Sequence, residues 1–261
     1  MTILDDIILE TRKTIEADLS QTPVHALESL IRDMPPCRDF HAALAAGNDV
    51  QLIAEVKRAS PSAGLIRDNF DPVEIAHSYA SAGAACISVL TDAPFFQGSL
   101  DYLAQVRQAV DLPLLRKDFV IDRYQLLQAR AAGADCVLLI AECLSADELR
   151  NLHDQTLELG MQTLIELFDP ENLAAVLSTG TRLVGVNNRN LHTFETSLDH
   201  TLKLRPRIPD DRLVVGESGI RTHQDVQILG AGGVKGILVG ESLMRQPDIR
   251  LATRQLLGFT A

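Results

Sequence analysis

The chain has 261 residues, of which 46% are hydrophobic and 23% charged, enough apolar material for the core of one large domain. Its 35 acidic and 24 basic side chains give a formal net charge of −11, which argues against nucleic acid and anionic membranes as partners. No apolar stretch approaches the roughly 18 residues of a membrane span, and the acidic N-terminus is unlike a signal peptide. We therefore expect a cytoplasmic protein.

The first 48 residues precede any strand signal and are predicted to be helical. Apolar residues recur at helical spacing from Ile3 to Leu19, and Thr22-Pro23 opens a second helical stretch that runs through Ile31. We interpret residues 1–48 as an N-terminal helical extension that caps the remainder of the chain. Residues 49–261 then form the main body, with one structural domain overall.

Eight short apolar runs rich in Val, Ile and Leu follow this extension, about 26 residues apart on average. They lie near residues 51–56, 85–90, 112–116, 135–140, 162–167, 182–187, 212–216 and 235–239. Stretches with helical spacing separate the runs, and turns such as Gly83-Ala84-Ala85 precede the next run, as expected where a helix ends in a glycine cap. Each run is therefore predicted to be a strand that follows a helix.

This alternation of strands and helices predicts a parallel sheet with crossover helices. Eight units close naturally into a barrel, so the predicted fold is an α/β fold of the (β/α)8 TIM barrel type. The alternative is a doubly wound open sheet. That fold would need fewer strands or a nucleotide-type glycine loop, and neither G-x-G-x-x-G nor G-x-x-x-x-G-K-[ST] occurs.

The end of strand 1 carries an acid and a base on one face. Side chains alternate along a strand, so Ile53, Glu55 and Lys57 point the same way. The two charged residues lie roughly 7 Å apart along the strand, close enough to act on two ends of one small substrate. A solvated ion pair at a strand end is the plain alternative.

Polar residues also follow strands 3, 5, 6 and 7, at the barrel end where active sites of this fold lie. These residues include Lys117, Glu166, Asn187, Arg189, Glu217 and Ser218. By alternation Lys117 and Glu166 point inward if Leu115 and Leu164 fill the barrel, and we expect Lys117 to pack little. Two lysine–glutamate sets that converge on one cavity are suited to general acid–base chemistry.

The last two units suggest a phosphate site. Small polar turns after strands 7 and 8 contain Gly219, Gly240 and Glu241, and such loops in barrels often bind phosphate through backbone N–H groups. A tight turn without a ligand is the alternative. Ser60, in the loop after strand 1, is a further hydroxyl donor, although Ser-Pro-Ser is as often just a turn.

Metal and disulfide signals are weak. Cys37, Cys86, Cys136 and Cys143 show no C-x-x-C spacing and are expected to be reduced, the two strand cysteines being buried. The seven histidines are scattered without H-x-x-x-H spacing. We therefore predict no metal site.

Eight segments at or near the strand ends form a pattern that spans nearly the whole chain. They are Ala54 to Ser62, Ser88 to Thr91, Phe96 to Ser99, Leu115 to Phe119, Leu164 to Glu166, Gly185 to Leu191, Gly216 to Ile220 and Leu238 to Met244. Together they resemble one family, indole-3-glycerol-phosphate synthase. Two positions depart from the pattern: Ala63 stands where a lysine is frequent, and Glu241 where some relatives have serine. The second departure favours a role for the backbone of Glu241 over its side chain.

This resemblance implies a reaction in tryptophan biosynthesis. The substrate would be 1-(2-carboxyphenylamino)-1-deoxyribulose 5-phosphate, closed to indole-3-glycerol phosphate with loss of carbon dioxide and water and without a cofactor. The implied catalytic residues are Glu55, Lys57, Lys117, Glu166, Asn187 and Ser218, with Lys117 as the general acid. The implied substrate contacts are Ser60, Phe96, Phe119, Arg189 and Glu217, and the implied phosphate contacts are Gly219, Gly240 and Glu241.

Two other functions remain open at this point. A Schiff-base lyase on the same barrel would use Lys117 as its nucleophile, and a catalytically silent barrel would serve as an assembly partner. A phosphosugar isomerase would carry a cysteine base on strand 1, and residues 51–57 contain none. We expect a phosphorylated small-molecule substrate and a monomeric chain, with association with other pathway enzymes left open.

Overall fold

The computed structural model describes residues 3–190 and 194–259. Leu191, the last residue of the motif after strand 6, lies outside these ranges. So do the first two residues of the predicted segment 1–48 and the last two residues of the predicted segment 49–261. The described residues form a closed barrel of parallel strands with helices on its outside. The predicted (β/α)8 barrel with an N-terminal helical extension is confirmed.

Eight parallel strands close the barrel, and each pairs with a neighbour on either side. In chain order they are β1 (Gln51–Val56), β2 (Cys86–Leu90), β3 (Leu114–Lys117), β4 (Cys136–Ile140), β5 (Gln162–Leu167), β6 (Leu183–Asn187), β7 (Leu213–Glu217) and β8 (Gly236–Val239). The barrel closes between β1 and β8, where Gln51 is in register with Gly236. Each strand begins and ends within two residues of the apolar run that predicted it.

The two faces of the strands build two separate apolar layers. Alternate residues such as Ile53, Leu115 and Leu164 fill the inside of the barrel. The residues between them, such as Leu52 and Ala54, pack outward against the helices. Strands that are covered on both faces read as continuous apolar runs, which is why no polar alternation marks them in the sequence.

Helices cover the outside of the barrel. They are α1 (Ile3–Gln21), α2 (Val24–Arg32), α3 (Phe40–Ala45), α4 (Pro72–Ala82), α5 (Ala93–Phe96), α6 (Leu100–Ala109), α7 (Arg123–Ala131), α8 (Ala146–Glu158), α9 (Leu173–Ser178), α10 (Asp199–Leu204), α11 (His223–Ala231), α12 (Glu241–Met244) and α13 (Ile249–Leu256). Helix α4 shows why they begin and end where they do. The Asp71 side chain accepts hydrogen bonds from Val73 and Glu74 N–H, and Gly83 ends the helix at a φ of +101°.

Apolar packing helps to hold the N-terminal extension on the barrel. Ile15 of α1 and Leu27 of α2 pack against Tyr124 and Leu127 of α7. Helix α3 closes the bottom of the barrel, where Phe40 and Leu44 join the inner apolar layer. The extension is therefore part of the barrel core as well as its cover.

A short hairpin that the sequence did not predict follows β1 and pairs residues 59–60 with 64–65.

The two strand cysteines, Cys86 and Cys136, are buried, as predicted. All four cysteines are free thiols. Within residues 3–190 and 194–259, no helix has the length and apolarity that a bilayer crossing needs. The same ranges contain no group of three His, Cys, Asp or Glu side chains arranged to hold a metal ion.

Candidate active site

A cavity of about 610 Å³ opens at the carboxyl ends of the strands. Parallel strands end together at one rim of a barrel, so polar residues that are distant in sequence meet there. The cavity is lined by all the predicted site residues: Glu55, Lys57, Ser60, Phe96, Lys117, Phe119, Glu166, Asn187, Arg189, Glu217, Ser218, Gly219, Gly240 and Glu241. The structure thus brings the predicted set together around one space.

Lys117 lies at the centre of the polar side of this cavity. Its Nζ donates to Glu166 Oε2 at 2.9 Å and lies 3.4 Å from Glu217 Oε2. Burial alone would lower the pKa of this ammonium, but the carboxylates of Glu166, Glu217 and Glu55 outweigh burial and raise it. Lys117 is therefore a stable ammonium and a proton donor. The expectation that it packs little is wrong, because the side chain is buried between the carboxyl groups of Glu166 and Glu217 and forms an ion pair with the first.

Glu166 and Glu217 cannot both ionise freely beside one ammonium. Burial raises the pKa of Glu217 well above its usual range, and the neighbouring Glu166 carboxylate raises it further. Burial would also raise the pKa of Glu166, but the Lys117 ammonium outweighs it and the pKa is lowered. Both carboxyl groups lie beside the Lys117 ammonium, and their mutual repulsion opposes ionisation of both. The raised pKa favours the neutral form of Glu217, whose Oε1 has no hydrogen-bond partner among the described residues.

The space for Glu217 is made by a glycine on the neighbouring strand. Gly185 of β6 is in register with Glu166 of β5, and a Cβ at position 185 would collide with Glu217 Oε1. The predicted family motif contains this glycine, but the sequence does not say why. The packing shows that a glycine here lets a third carboxyl group approach Lys117.

Glu55 and Lys57 form the second lysine–glutamate set. Lys57 Nζ lies 2.6 Å from Glu55 Oε2, with side chains only 15% and 5% exposed. The pair therefore shares the inward face that alternation predicted, and the alternative of a solvated surface pair is wrong. Gly240 leaves room for this pair, because a Cβ at that position would collide with the Glu55 carboxylate and lie 2.9 Å from its Cβ.

Asn187 links the acid–base groups to the loop after β6. Its Nδ2 donates to Glu166 Oε1 at 3.0 Å, and its Oδ1 accepts from Arg189 N–H at 3.0 Å. Glu166 thus receives hydrogen bonds on both oxygens, one from an ammonium and one from an amide. These contacts hold the carboxylate in one orientation.

Aromatic and aliphatic side chains also line the cavity. The rings of Phe96 and Phe119 lie 6.1 Å apart between centroids, and Leu4 and Ile7 of α1 also line this space. Phe119 follows Asp118, which accepts hydrogen bonds from the outward-pointing Arg116 at 2.8 Å. The cavity therefore offers apolar surface as well as charged groups.

Backbone turns and arginines form the mouth of the cavity. Ser218 and Gly219 both have left-handed backbones, with φ of +66° and +78°. Glu241 begins α12, and its carboxylate lies 3.1 Å from the Arg245 guanidinium and 3.7 Å from that of Arg189. The side chain of Glu241 is thus paired with two cations.

Sequence reasoning missed several residues that line the cavity. They include Leu4 and Ile7 of α1, together with Arg221 after β7 and Ser242 and Arg245 after β8. Helical spacing marks the apolar face of α1 but does not say where that face docks. The two arginines had a signal, since they follow within a few residues of the predicted phosphate turns.

The fold and the site together define a class of protein. A closed parallel barrel whose rim holds buried lysine–glutamate sets beside an apolar wall is a barrel enzyme equipped for acid–base chemistry on a small organic substrate.

Comparisons with known proteins give the family. The family model described as indole-3-glycerol phosphate synthase matches residues 4–256. An indole-3-glycerol phosphate synthase from Rhodopirellula baltica is 68% identical over 257 residues, which cover 98% of this chain and 99% of the relative. A second, from Chromobacterium violaceum, is 50% identical over 249 residues and covers 94% of each chain. The chain belongs to the indole-3-glycerol phosphate synthase family, a family of carboxy-lyases in tryptophan biosynthesis.

Solved structures of other barrels share the fold. A 3-hexulose-6-phosphate synthase superimposes with a TM-score of 0.64 at 14% identity and covers 81% of this chain and 100% of its own. A tryptophan synthase from Pyrococcus furiosus gives a TM-score of 0.60 at 15% identity and covers 81% and 99%. At these identities the likeness concerns the barrel alone.

Proposed function

We propose that the cavity closes the indole ring of 1-(2-carboxyphenylamino)-1-deoxyribulose 5-phosphate and releases indole-3-glycerol phosphate, carbon dioxide and water. The observation that carries this proposal is the ammonium of Lys117, held charged by carboxylates at the floor of a cavity that has an apolar wall. An aryl ring fits the apolar wall, while the sugar carbonyl and the carboxylate need cations. Both kinds of surface are present in one space.

Lys117 acts as the general acid of ring closure. The aromatic carbon attacks the sugar carbonyl, the C=O π bond becomes a C–O single bond, and the oxygen takes a proton from Nζ. The raised pKa of Lys117 keeps this proton available at neutral pH. Glu166 supports this role because it holds the ammonium at 2.9 Å, and once it has taken the proton that the ring loses it can pass that proton to the Lys117 amine.

Lys57 acts in the loss of carbon dioxide and of water. Its ammonium pairs with the substrate carboxylate until the C–C bond breaks and carbon dioxide leaves. The new hydroxyl then departs as water with a proton from Lys57, while a carboxylate takes the proton that the ring loses. Glu55, 2.6 Å from Lys57, and Glu166 are the two candidate bases.

The remaining residues bind the substrate or orient the acid–base groups. Asn187 fixes Glu166 and the start of the loop that carries Arg189. Phe96 and Phe119 contact the aryl ring, and Arg189 contacts the polar part of the substrate. Three further residues contact the substrate in this proposal: Ser60 and Ser218 through their hydroxyls and Glu217 through its protonated carboxyl.

The phosphate binds at the mouth, over the turns after β7 and β8. The backbone N–H groups of Gly219, Gly240 and Glu241 are the proposed donors, in line with the use of such turns in other barrels. Arg189 and Arg245 supply positive charge there, although the Glu241 carboxylate already pairs with both. A bound phosphate would compete with Glu241 for these guanidinium groups.

One assay tests this function. Purified enzyme is mixed with the carboxyphenylamino-deoxyribulose phosphate, without added metal or nucleotide, and indole fluorescence is followed. Saturable growth of the indole signal is expected, with one carbon dioxide released per indole. No signal from folded enzyme would refute the proposal and leave the silent barrel as the better interpretation.

The structure argues against the Schiff-base alternative. A lysine nucleophile needs a lowered pKa so that the free amine is present, whereas carboxylates raise the pKa of Lys117. Borohydride added during turnover should therefore trap no adduct. A reduced covalent adduct at Lys117 would favour the lyase mechanism instead.

We further propose that residues 1–48 and 49–261 fold as one structural domain, with the extension held by the Ile15 and Leu27 contacts on α7. Limited proteolysis should then release no stable barrel fragment. The free cysteines support a cytoplasmic enzyme, which cell fractionation would test. Light scattering of the purified enzyme would test the proposed monomeric state, and the same measurement after another pathway enzyme is added would test association.

A further inference from the structure

The turn after β7 adopts a backbone that its sequence does not favour. Ser218 has a φ of +66° and Gly219 a φ of +78°, so two consecutive residues are left-handed. Glycine accepts this conformation freely, but a serine adopts it only where the surrounding structure imposes it. Something must therefore hold the Ser218 backbone in place.

Asn188 is the residue that holds this turn. It is 2% exposed, and its Nδ2 donates to the carbonyl oxygen of Ser218 at 3.2 Å. Its Oδ1 accepts two hydrogen bonds from Thr201, from the backbone N–H at 3.1 Å and from Oγ1 at 2.7 Å. Because a backbone N–H can only donate, this contact fixes which side of the amide is oxygen. The NH₂ group must then face Ser218.

The planarity of the peptide bond carries this contact to the cavity. In a trans peptide the C=O of Ser218 and the N–H of Gly219 point in opposite directions, and the described residues contain no cis peptide. Asn188 holds the carbonyl toward its own side and does not line the cavity, whereas Ser218 and Gly219 do. The Gly219 N–H is thereby turned toward the cavity. No atom in the part of the chain that the structure describes accepts a hydrogen bond from it.

We propose that Asn188 is a positioning residue that aims the N–H of Gly219 at an oxyanion of the substrate, before the substrate arrives. This inference rests on the proposed position of the phosphate over the same turn. A donor that is oriented in advance loses no free energy to reorientation on binding, so its benefit appears in substrate affinity. Loss of the Asn188 amide should then weaken phosphate binding and leave the acid–base groups in place.

The test compares two variants of one hydrogen-bond network. Asn188→Ala removes the bond to Ser218, whereas Thr201→Val removes only the Oγ1 bond to Asn188 and keeps the backbone bond that orients the amide. The probe is inorganic sulfate as a competitive inhibitor, together with the KM and kcat of turnover. Thermal melts monitored by circular dichroism report on stability in both variants.

For Asn188→Ala we expect KM and the sulfate inhibition constant to rise about 10- to 100-fold, the typical effect of one hydrogen bond to a charged group, with kcat changed less than threefold. Thr201→Val should melt earlier than the wild type but keep both constants. A rise of both constants in Thr201→Val of the size seen in Asn188→Ala would reduce Asn188 to a purely structural role and overturn the inference.

The failure of this inference can be told apart from failure of the proposed phosphate position. If sulfate competes equally well with wild type and Asn188→Ala, only the role of Asn188 is wrong. If sulfate does not compete with the wild type, both are wrong. Should Asn188→Ala not fold, amide NMR of the wild type decides: sulfate must shift the Gly219 resonance, and an unmoved resonance overturns the inference.

Discussion

Replacing Lys117 with methionine should damage catalysis and stability together, for one electrostatic reason. Methionine keeps most of the side-chain volume and removes the charge that faces Glu166 at 2.9 Å and Glu217 at 3.4 Å. At an effective dielectric constant of about 20, attraction at the shorter distance is about 6 kcal/mol, of which desolvation offsets a part. Breaking a buried pair by removing one partner typically costs about 3–5 kcal/mol, and we expect a loss of that size at pH 7.

The same substitution removes the proton donor of ring closure. Turnover should fall by roughly 10²- to 10⁴-fold, as is typical for one general acid. The pH dependence of stability has a definite sign. Because Lys117 lowers the folded-state pKa of Glu166, the stability it contributes is present above the usual carboxyl pKa of about 4.3 and is lost at lower pH. The difference between wild type and variant should therefore shrink below that pH.

Urea unfolding followed by circular dichroism at several pH values measures the stability, and indole fluorescence measures turnover. Lys13→Met is the matched control, since Lys13 pairs with Glu10 at 2.8 Å on the surface with its side chain 60% exposed. This control should lose at most about 1 kcal/mol and no activity. A Lys117→Met enzyme with more than a tenth of wild-type turnover would remove Lys117 from the mechanism. A pH-independent stability loss would contradict the electrostatic account.

Three further predictions concern Glu217, the two glycines that line the cavity, and the absence of a metal requirement. Burial and the neighbouring Glu166 raise the folded-state pKa of Glu217, so its carboxyl stays neutral above the usual carboxyl pKa of about 4.3, where the unfolded chain ionises, and the protein loses stability as pH rises from there. Glu217→Gln should remove this loss and gain in relative melting temperature toward alkaline pH, unlike the exposed Glu158→Gln, and equal pH profiles would refute it. Gly219→Val should mainly raise KM and weaken sulfate competition. Gly240→Val should lower kcat as well, because the new valine side chain displaces Glu55. A change in KM alone in both variants would show that Glu55 moves aside without loss of activity. Dialysis against a chelator should leave turnover intact, and a loss that a divalent ion restores would disprove metal-free catalysis.

Local patterns were enough to predict much of this molecule. Continuous apolar runs between glycine-capped helices are the signature of a parallel barrel, because its strands are buried on both faces. Alternation along β1 and β3 placed Glu55, Lys57 and Lys117 inward, since it depends only on strand geometry and on which residues are apolar. Because all strands of a parallel barrel end at the same rim, these residues come together there irrespective of the loop conformations.

What depends on packing between elements was decided by the tertiary structure alone. Helical spacing gave α1 an apolar face but could not place Leu4 and Ile7 at the cavity. The pKa of Glu217 is raised by burial and by the charge of Glu166 from another strand, a proximity that no sequence spacing encodes. The requirement for glycine at position 240 likewise comes from packing between strands, because Glu55 of the neighbouring strand fills the space that a side chain at 240 would need. Sequence determines which face of a strand a side chain takes, but the charge it carries depends on the neighbours that barrel closure brings within a few ångströms, because electrostatic energy is set by distance in space and by burial.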